Sequence, residues 1–231
     1  MRVLAFDACL EAVTAAAGVV RRDGSWERGA GEFMRVSGGH AEALMPMIDR
    51  VMRSAGMVFP DLDRLVTTLG PGGFTGVRVA VAAARGFLLA TSARGVGLST
   101  LDALAIGARR EIAGASGEPL AVAVDGRRGM VFFALYASGS QEAVPALLTV
   151  AEAAAQVRGK TSVIVGSASE AVAAEAGDAG AFRCLAQLQP DAREFGAQCA
   201  YAEPAAVLQP IYLRPPDAKA QTSFVLPRAP A

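Results

Sequence analysis

Histidine is almost absent from this 231-residue chain, which carries His40 alone. The H-E-x-x-H zinc proteases and H-x-x-x-H metal pairs are thereby excluded. A serine triad would have only His40 to draw on, and no serine lies in a G-x-S-x-G elbow. Cysteine is scarce as well. Cys9, Cys184 and Cys199 are odd in number, far apart and in no C-x-x-C pair, which argues against a disulfide framework or a thiolate zinc site. Lysine occurs only at Lys160 and Lys219, and arginine supplies the remaining basic residues. With alanine so abundant, that skew reads as compositional bias and not as a functional arginine patch. Lys+Arg and Asp+Glu both number 22, so the chain has no basic excess for phosphate backbones. Any role on RNA would need a partner to supply charge. Long apolar runs are missing too. Charge-free stretches such as Gly129–Gln141 are too short to span a bilayer, and the opening MRVLAFD lacks a signal-peptide core. A soluble, cytoplasmic protein with no membrane partner is expected.

What is present is an ordinary globular composition, 52% hydrophobic and 19% charged, in alternating strand and helix patterns. Arg2–Asp7, Thr14–Val20 and Trp26–Phe33 read as strands. From Ala41 the apolar period becomes helical: Ala41, Leu44, Met45, Ile48, Val51, Met52 and Ala55 form one face, with Pro46 inside it predicting a kink or a late start. Leu65–Leu69 is a strand, Val77–Ala90 a helix apolar nearly all round, and Val96–Leu98 a strand. Ser99 to Asp102 then forms a capping box that opens another helix. After a linker at Gly114–Pro119, the order recurs in shorter form. Leu120–Asp125 and Met130–Tyr136 are strands, Thr149 to Glu152 caps a helix, Ser162–Gly166 is a strand, and Ala168–Ala176 and Ala192–Ala202 are helical. Such alternation predicts an α/β fold of two similar lobes, βββαβαβα each, the second shortened. The expected division is 1–110, 111–209, and a tail, 210–231, returning to the N-terminal lobe.

Two places could hold a nucleotide. Asp7 ends the first strand at the carboxyl edge where α/β proteins bind ligands, and Gly72, Gly73 and Thr75 lie in a glycine-rich strand-to-helix connection. Neither is a phosphate loop by sequence. No Lys-Ser/Thr follows Gly70–Gly76, and Asp7 is followed by Ala8-Cys9-Leu10-Glu11 and not by a hydroxyl-glycine turn. The glycines are read first as residues that let two segments approach closely. His40 and Cys9 are read as structural, since nothing in the sequence places a second ligand or a base beside them. The two helices after residue 40 carry an apolar surface beyond the core stripe, at Ala43, Met47, Ala83 and Gly86, and this surface is either buried within the fold or docks a partner.

Five segments in order resemble the bacterial TsaB (YeaZ) family. They are His40-Ala-Glu-Ala-Leu-Met-Pro-Met-Ile-Asp49, Leu69-Gly-Pro-Gly-Gly-Phe-Thr-Gly-Val-Arg78, Gly97-Leu-Ser-Thr-Leu-Asp-Ala-Leu-Ala105, Asp125-Gly-Arg-Arg-Gly129 and Pro210-Ile-Tyr-Leu-Arg-Pro-Pro216. The resemblance implies an actin/Hsp70-like, ribonuclease H-like ATPase fold. It also implies a part in placing threonylcarbamoyl on N6 of the adenosine beside the tRNA anticodon. The implied role is that of a non-catalytic binding and activating subunit for a TsaD-like catalytic partner, with a TsaE-like ATPase in the complex. A homodimer through the same helices, and tRNA contact only through the complex, are further implications. The family's D-T-S-T appears here as Asp7-Ala-Cys-Leu10, its loop serine as Gly73, and a glutamate as Met130. These departures predict no cofactor and weak or no ATP binding by the isolated chain. A glycoprotease-like metallopeptidase and an independent ATPase or kinase are the enzymatic alternatives. The first needs a metal pair and the second a phosphate loop.

Overall fold

The computed structural model describes residues 1–112, 117–140, 143–177 and 179–214. The expected linker at 114–119 and the tail beyond residue 214 therefore lie partly or wholly outside the described residues. In the first half, β1 (Arg2–Asp7), β2 (Ala12–Val20) and β3 (Trp26–Arg35) are followed by α1 (His40–Ser54), β4 (Arg64–Thr68), α2 (Phe74–Ala90), β5 (Arg94–Leu98) and α3 (Thr100–Glu111). In the second half, β6 (Leu120–Asp125), β7 (Met130–Tyr136) and β8 (Ala146–Thr149) precede α4 (Val150–Val157), β9 (Val163–Val165), α5 (Ser169–Ala176), β10 (Arg183–Leu185) and α6 (Ala192–Gln198).

The two sheets share one topology. The first runs β3-β2-β1-β4-β5 and the second, read from its other edge, β8-β7-β6-β9-β10. In each the first three strands pair antiparallel, and the fourth and fifth add parallel to the first. β8 and β10 complete the repeat. Both escape the sequence pattern because strands of four and three residues show no measurable alternation. Ser99 and Thr149 cap α3 and α4 through capping boxes with Asp102 and Glu152. α1 runs through Pro46, which only removes one N–H donor from its second turn. α6 ends at Gln198, four residues before its apolar pattern does.

The last helix of each half crosses to the other. Leu101, Leu104 and Ala108 of α3 share a core with Val122 of β6 and Phe132 and Tyr136 of β7. Ala192 and Phe195 of α6 pack on Val3 and Ala5 of β1 and Ala16 of β2, together with Ala103 and Ile106 of α3. The expected division at 110 thus falls at the end of a helix that belongs by packing to the second sheet. Residues 205–214 form a strap along the first lobe. Ala205 N–H donates to the Gly95 carbonyl, Leu208 is buried in the α1/α2 core, and Ile211 N–H donates to Leu69. Beyond them Leu213 packs against the second lobe's core and the Arg214 guanidinium donates to the Arg127 carbonyl at 2.9 Å.

Candidate functional site: a closed cleft and two exposed helices

The β1–β2 turn and the glycine-rich loop pack on each other at the carboxyl end of β1. Asp7 lies there, fully buried. Its Oδ1 accepts the Cys9 N–H at 3.1 Å and the Thr68 hydroxyl, and its Oδ2 has no partner. Burial pushes its pKa above the usual carboxylate range, against the lowering effect of the Thr68 and Cys9 hydrogen bonds. Cys9 is buried with its Sγ 3.2 Å from the Thr68 hydroxyl. Burial first, and then the Asp7 charge, push this thiol up, which disfavours the thiolate. His40 donates from Nε2 to the Leu10 carbonyl at 2.7 Å, which pins the β1–β2 turn to the start of α1.

The glycine-rich loop is packed onto this turn. A Cβ at Gly72 would lie 2.3 Å from the Cys9 carbonyl oxygen, and one at Gly76 would lie 1.9 Å from that of Ala8. Gly73 N–H donates to the Cys9 carbonyl at 2.8 Å. One donor of the loop is thus spent on the chain's own backbone, and Gly72 and Gly76 serve close approach. The helix begins at Phe74, earlier than the periodicity gives, because Gly76 lets the first turn sit on Ala8. Thr75 is exposed in that first turn. Of the four nucleotide candidates, Gly72 and Gly73 pack on Cys9, whose N–H donates to Asp7, and Thr75 follows them in the first turn of α2.

One docking residue is corrected. Met47 is buried in the α1 core with Leu44, Ile48, Val51 and Met52, while Met45 is 48% exposed. The two methionines flank the same stripe, and periodicity alone cannot tell which edge the neighbouring sheet and helix will cover. Ala43 and Ala83 are half-buried against that core, whereas Ala82 and Gly86 of α2 are exposed and Leu89 is 90% exposed. Ala82, Gly86 and Leu89 stand at i, i+4 and i+7, one outward stripe of small and apolar groups.

Sequence reasoning missed three features, all of which depend on distant pairs. Tyr136 of β7 donates its hydroxyl to Asp102 at 2.7 Å, joining the second sheet to the α3 cap. A groove of about 730 Å³ lies among β3, α3, β10 and α6. Its arginines are committed: Arg35 to the Gln187 carbonyl, Arg110 to Glu194 and Arg193 to Asp191. The third is an arginine and aromatic cluster on the strap. Among the described residues no three His, Cys, Asp or Glu side chains converge on a metal position, and no helix is long and apolar enough to cross a membrane.

The fold is that of a two-lobed, actin-like α/β protein, with the β1–β2 turn and the glycine-rich loop folded onto each other. Residues 35–190 match the family model described as TsaD, tRNA N6-adenosine threonylcarbamoyltransferase. An uncharacterized protein of Mycobacterium tuberculosis strain H37Rv is 34% identical over 218 residues, 94% of this chain and 93% of that one. The tRNA threonylcarbamoyladenosine biosynthesis protein TsaB of Escherichia coli K12 is 33% identical over 138 residues, 59% of this chain and 55% of its own. The solved structure of YeaZ from Pseudomonas aeruginosa superposes with a TM-score of 0.74 at 26% identity, covering 92% of this chain and 99% of that one. The chain belongs to the TsaB (YeaZ) family.

Proposed function

We propose that this chain acts in tRNA threonylcarbamoyladenosine biosynthesis as the non-catalytic subunit that binds and activates a TsaD-type threonylcarbamoyltransferase. The biosynthetic role follows from membership of the TsaB family. The observation that carries the accessory assignment is the closed cleft: Asp7 is fully buried, and the glycine-rich loop spends its space and a donor on Ala8 and Cys9. A triphosphate would meet a carboxylate without a donor loop around it. Neither enzymatic alternative gains support, since a peptidase needs a metal set or an activated nucleophile, and an ATPase needs an open phosphate site.

The partner surface in this reading is the outer side of α1 and α2, with Ala43, Ala83 and Gly86 retained and Met45 and Leu89 in place of Met47. A fold-mate carrying two equivalent helices would pack there as a four-helix bundle, and a second copy of this chain could use the same face competitively. A TsaE-like ATPase joins the assembled pair, in the cytoplasm, and tRNA is engaged only by the complex. The test is reconstitution. The TsaD-type protein of the same cell should co-purify with this chain and form threonylcarbamoyladenosine only when it is present. Each protein alone should be inactive, and calorimetry should find no low-micromolar ATP site on the isolated chain. Full transferase activity of the TsaD-type protein without this chain would overturn the assignment.

A further inference from the structure

We infer that the arginine and aromatic cluster where the strap crosses between the lobes is a contact surface for single-stranded RNA. This inference rests on the proposed role in a tRNA-modifying complex and goes beyond it by assigning residues of this chain to the nucleic acid. Phe74 and Tyr212 are 60% and 51% exposed, with ring centroids 6.2 Å apart. Arg78 lies between them. Its guanidinium carbon is 3.6 Å from the Phe74 ring centroid, and its Nε donates to the Tyr212 hydroxyl at 3.1 Å. Two residues along the strap, about 7 Å of extended chain, Arg214 donates to the carbonyl of Arg127. Arg127 and Arg128 form the tip of the β6–β7 hairpin. Both have positive φ, 67° and 54°, and both are exposed. Asp125, the nearest acid in sequence, accepts the Arg127 backbone N–H at 2.8 Å and so braces the turn.

The chemistry favours a polynucleotide. None of Arg78, Arg127 and Arg214 is paired with a carboxylate among the described residues. A chain with zero net charge has gathered these cations at one junction and set open aromatic rings beside them. Guanidinium groups without a carboxylate partner suit phosphates, and exposed rings flanked by arginine suit unstacked bases, the combination used on single-stranded loops. Left-handed backbone at two consecutive arginines is costly, and asparagine or glycine would serve the turn better. The positions thus carry charge at some expense in conformation.

The test measures binding of fluorescein-labelled unmodified tRNA by the complex of this chain with its TsaD-type partner, over a series of salt concentrations. Arg127→Asn keeps a residue tolerant of positive φ and removes one cation. It should weaken binding and make the slope of log affinity against log salt shallower by about one. Tyr212→Leu should weaken binding about tenfold with the slope unchanged, since stacking releases no counterions. Both variants should retain partner association by gel filtration. Unchanged affinity and slope in both, with the parent complex binding tRNA, would overturn this inference and leave the functional reading intact. Loss of partner association, with unaltered tRNA binding by whatever complex forms, would make the patch a protein contact and overturn it too. Failure of the parent complex to bind tRNA would overturn both.

Discussion

Asp7 shows at the residue scale how a position that invites a functional reading can be held by structure. Its carboxylate is buried, one oxygen is satisfied by Cys9 and Thr68, and the other has no partner. An acid whose pKa is raised by folding binds its proton more tightly in the folded chain, so stability falls as pH climbs above the ordinary aspartate value of 3.8. Asp7→Asn keeps the acceptor for Cys9 and Thr68 and removes the charge. It should raise the melting temperature at pH 7, and the gain should vanish below about pH 4, where both states of the parent are protonated. Melting curves at several pH values check this, and a variant less stable than the parent at pH 7 would refute the assignment. Tyr136 gives the complementary case. Tyr136→Phe removes the donor to Asp102 Oδ1, leaving that carboxylate only the Ser99 N–H on Oδ2, and should cost about 1.5–3 kcal/mol, the range for a hydrogen bond to a charged group. Urea titration reads it directly.

Helix α2 carries two glycines with opposite meanings at the scale of the element. Gly76 lies against the Ala8 carbonyl, where an added Cβ would come within 1.9 Å, whereas Gly86 has nothing within 4 Å. Gly76→Ala should therefore destabilise by about 3 kcal/mol or more through forced backbone displacement. Gly86→Ala should stabilise the isolated chain by about 0.5–1 kcal/mol through helix propensity. If α2 packs closely on a partner helix, that same Gly86→Ala should weaken the complex while it strengthens the monomer. Thermal melts and a pull-down from one preparation separate the two effects. The glycine spacing is visible in the sequence; which glycine touches what is not, because Ala8 is remote from both along the chain.

The whole molecule is two copies of one sheet topology locked by exchanged helices, so neither lobe owns a complete core. Cooperative unfolding in a single transition is the expected outcome, and calorimetry resolving two independent transitions would contradict it. The outer stripe of α2 is the place to separate assembly from folding. Ala82 is exposed, so Ala82→Glu should leave the circular dichroism unchanged. At a docked interface it buries an unpaired carboxylate and should cost the complex about 3 kcal/mol or more. Undiminished association of Ala82→Glu with the TsaD-type partner would remove this face from the proposal.

Local chemistry made much of this protein readable from its sequence. The capping boxes at Ser99 and Thr149, the β6 and β7 bounds, the helical period of α1 and the βββαβαβα order of the first half all arise from residues within a few positions of one another. The scarcity of histidine likewise limited the chemistry before any fold was known. Tertiary structure decided what depends on pairs far apart in the chain. It chose Met47 over Met45 for the core, because only packed neighbours distinguish the two edges of one stripe. It sent α3 and α6 across to the opposite sheets and closed Gly72 and Gly76 onto Cys9 and Ala8. It also brought Tyr212 of the strap to Arg78 and Arg214 to Arg127, turning a composition rich in arginine into a place. The glycine-loop and strap contacts join segments from about 60 to more than 130 residues apart, and only the folded chain brings them within reach.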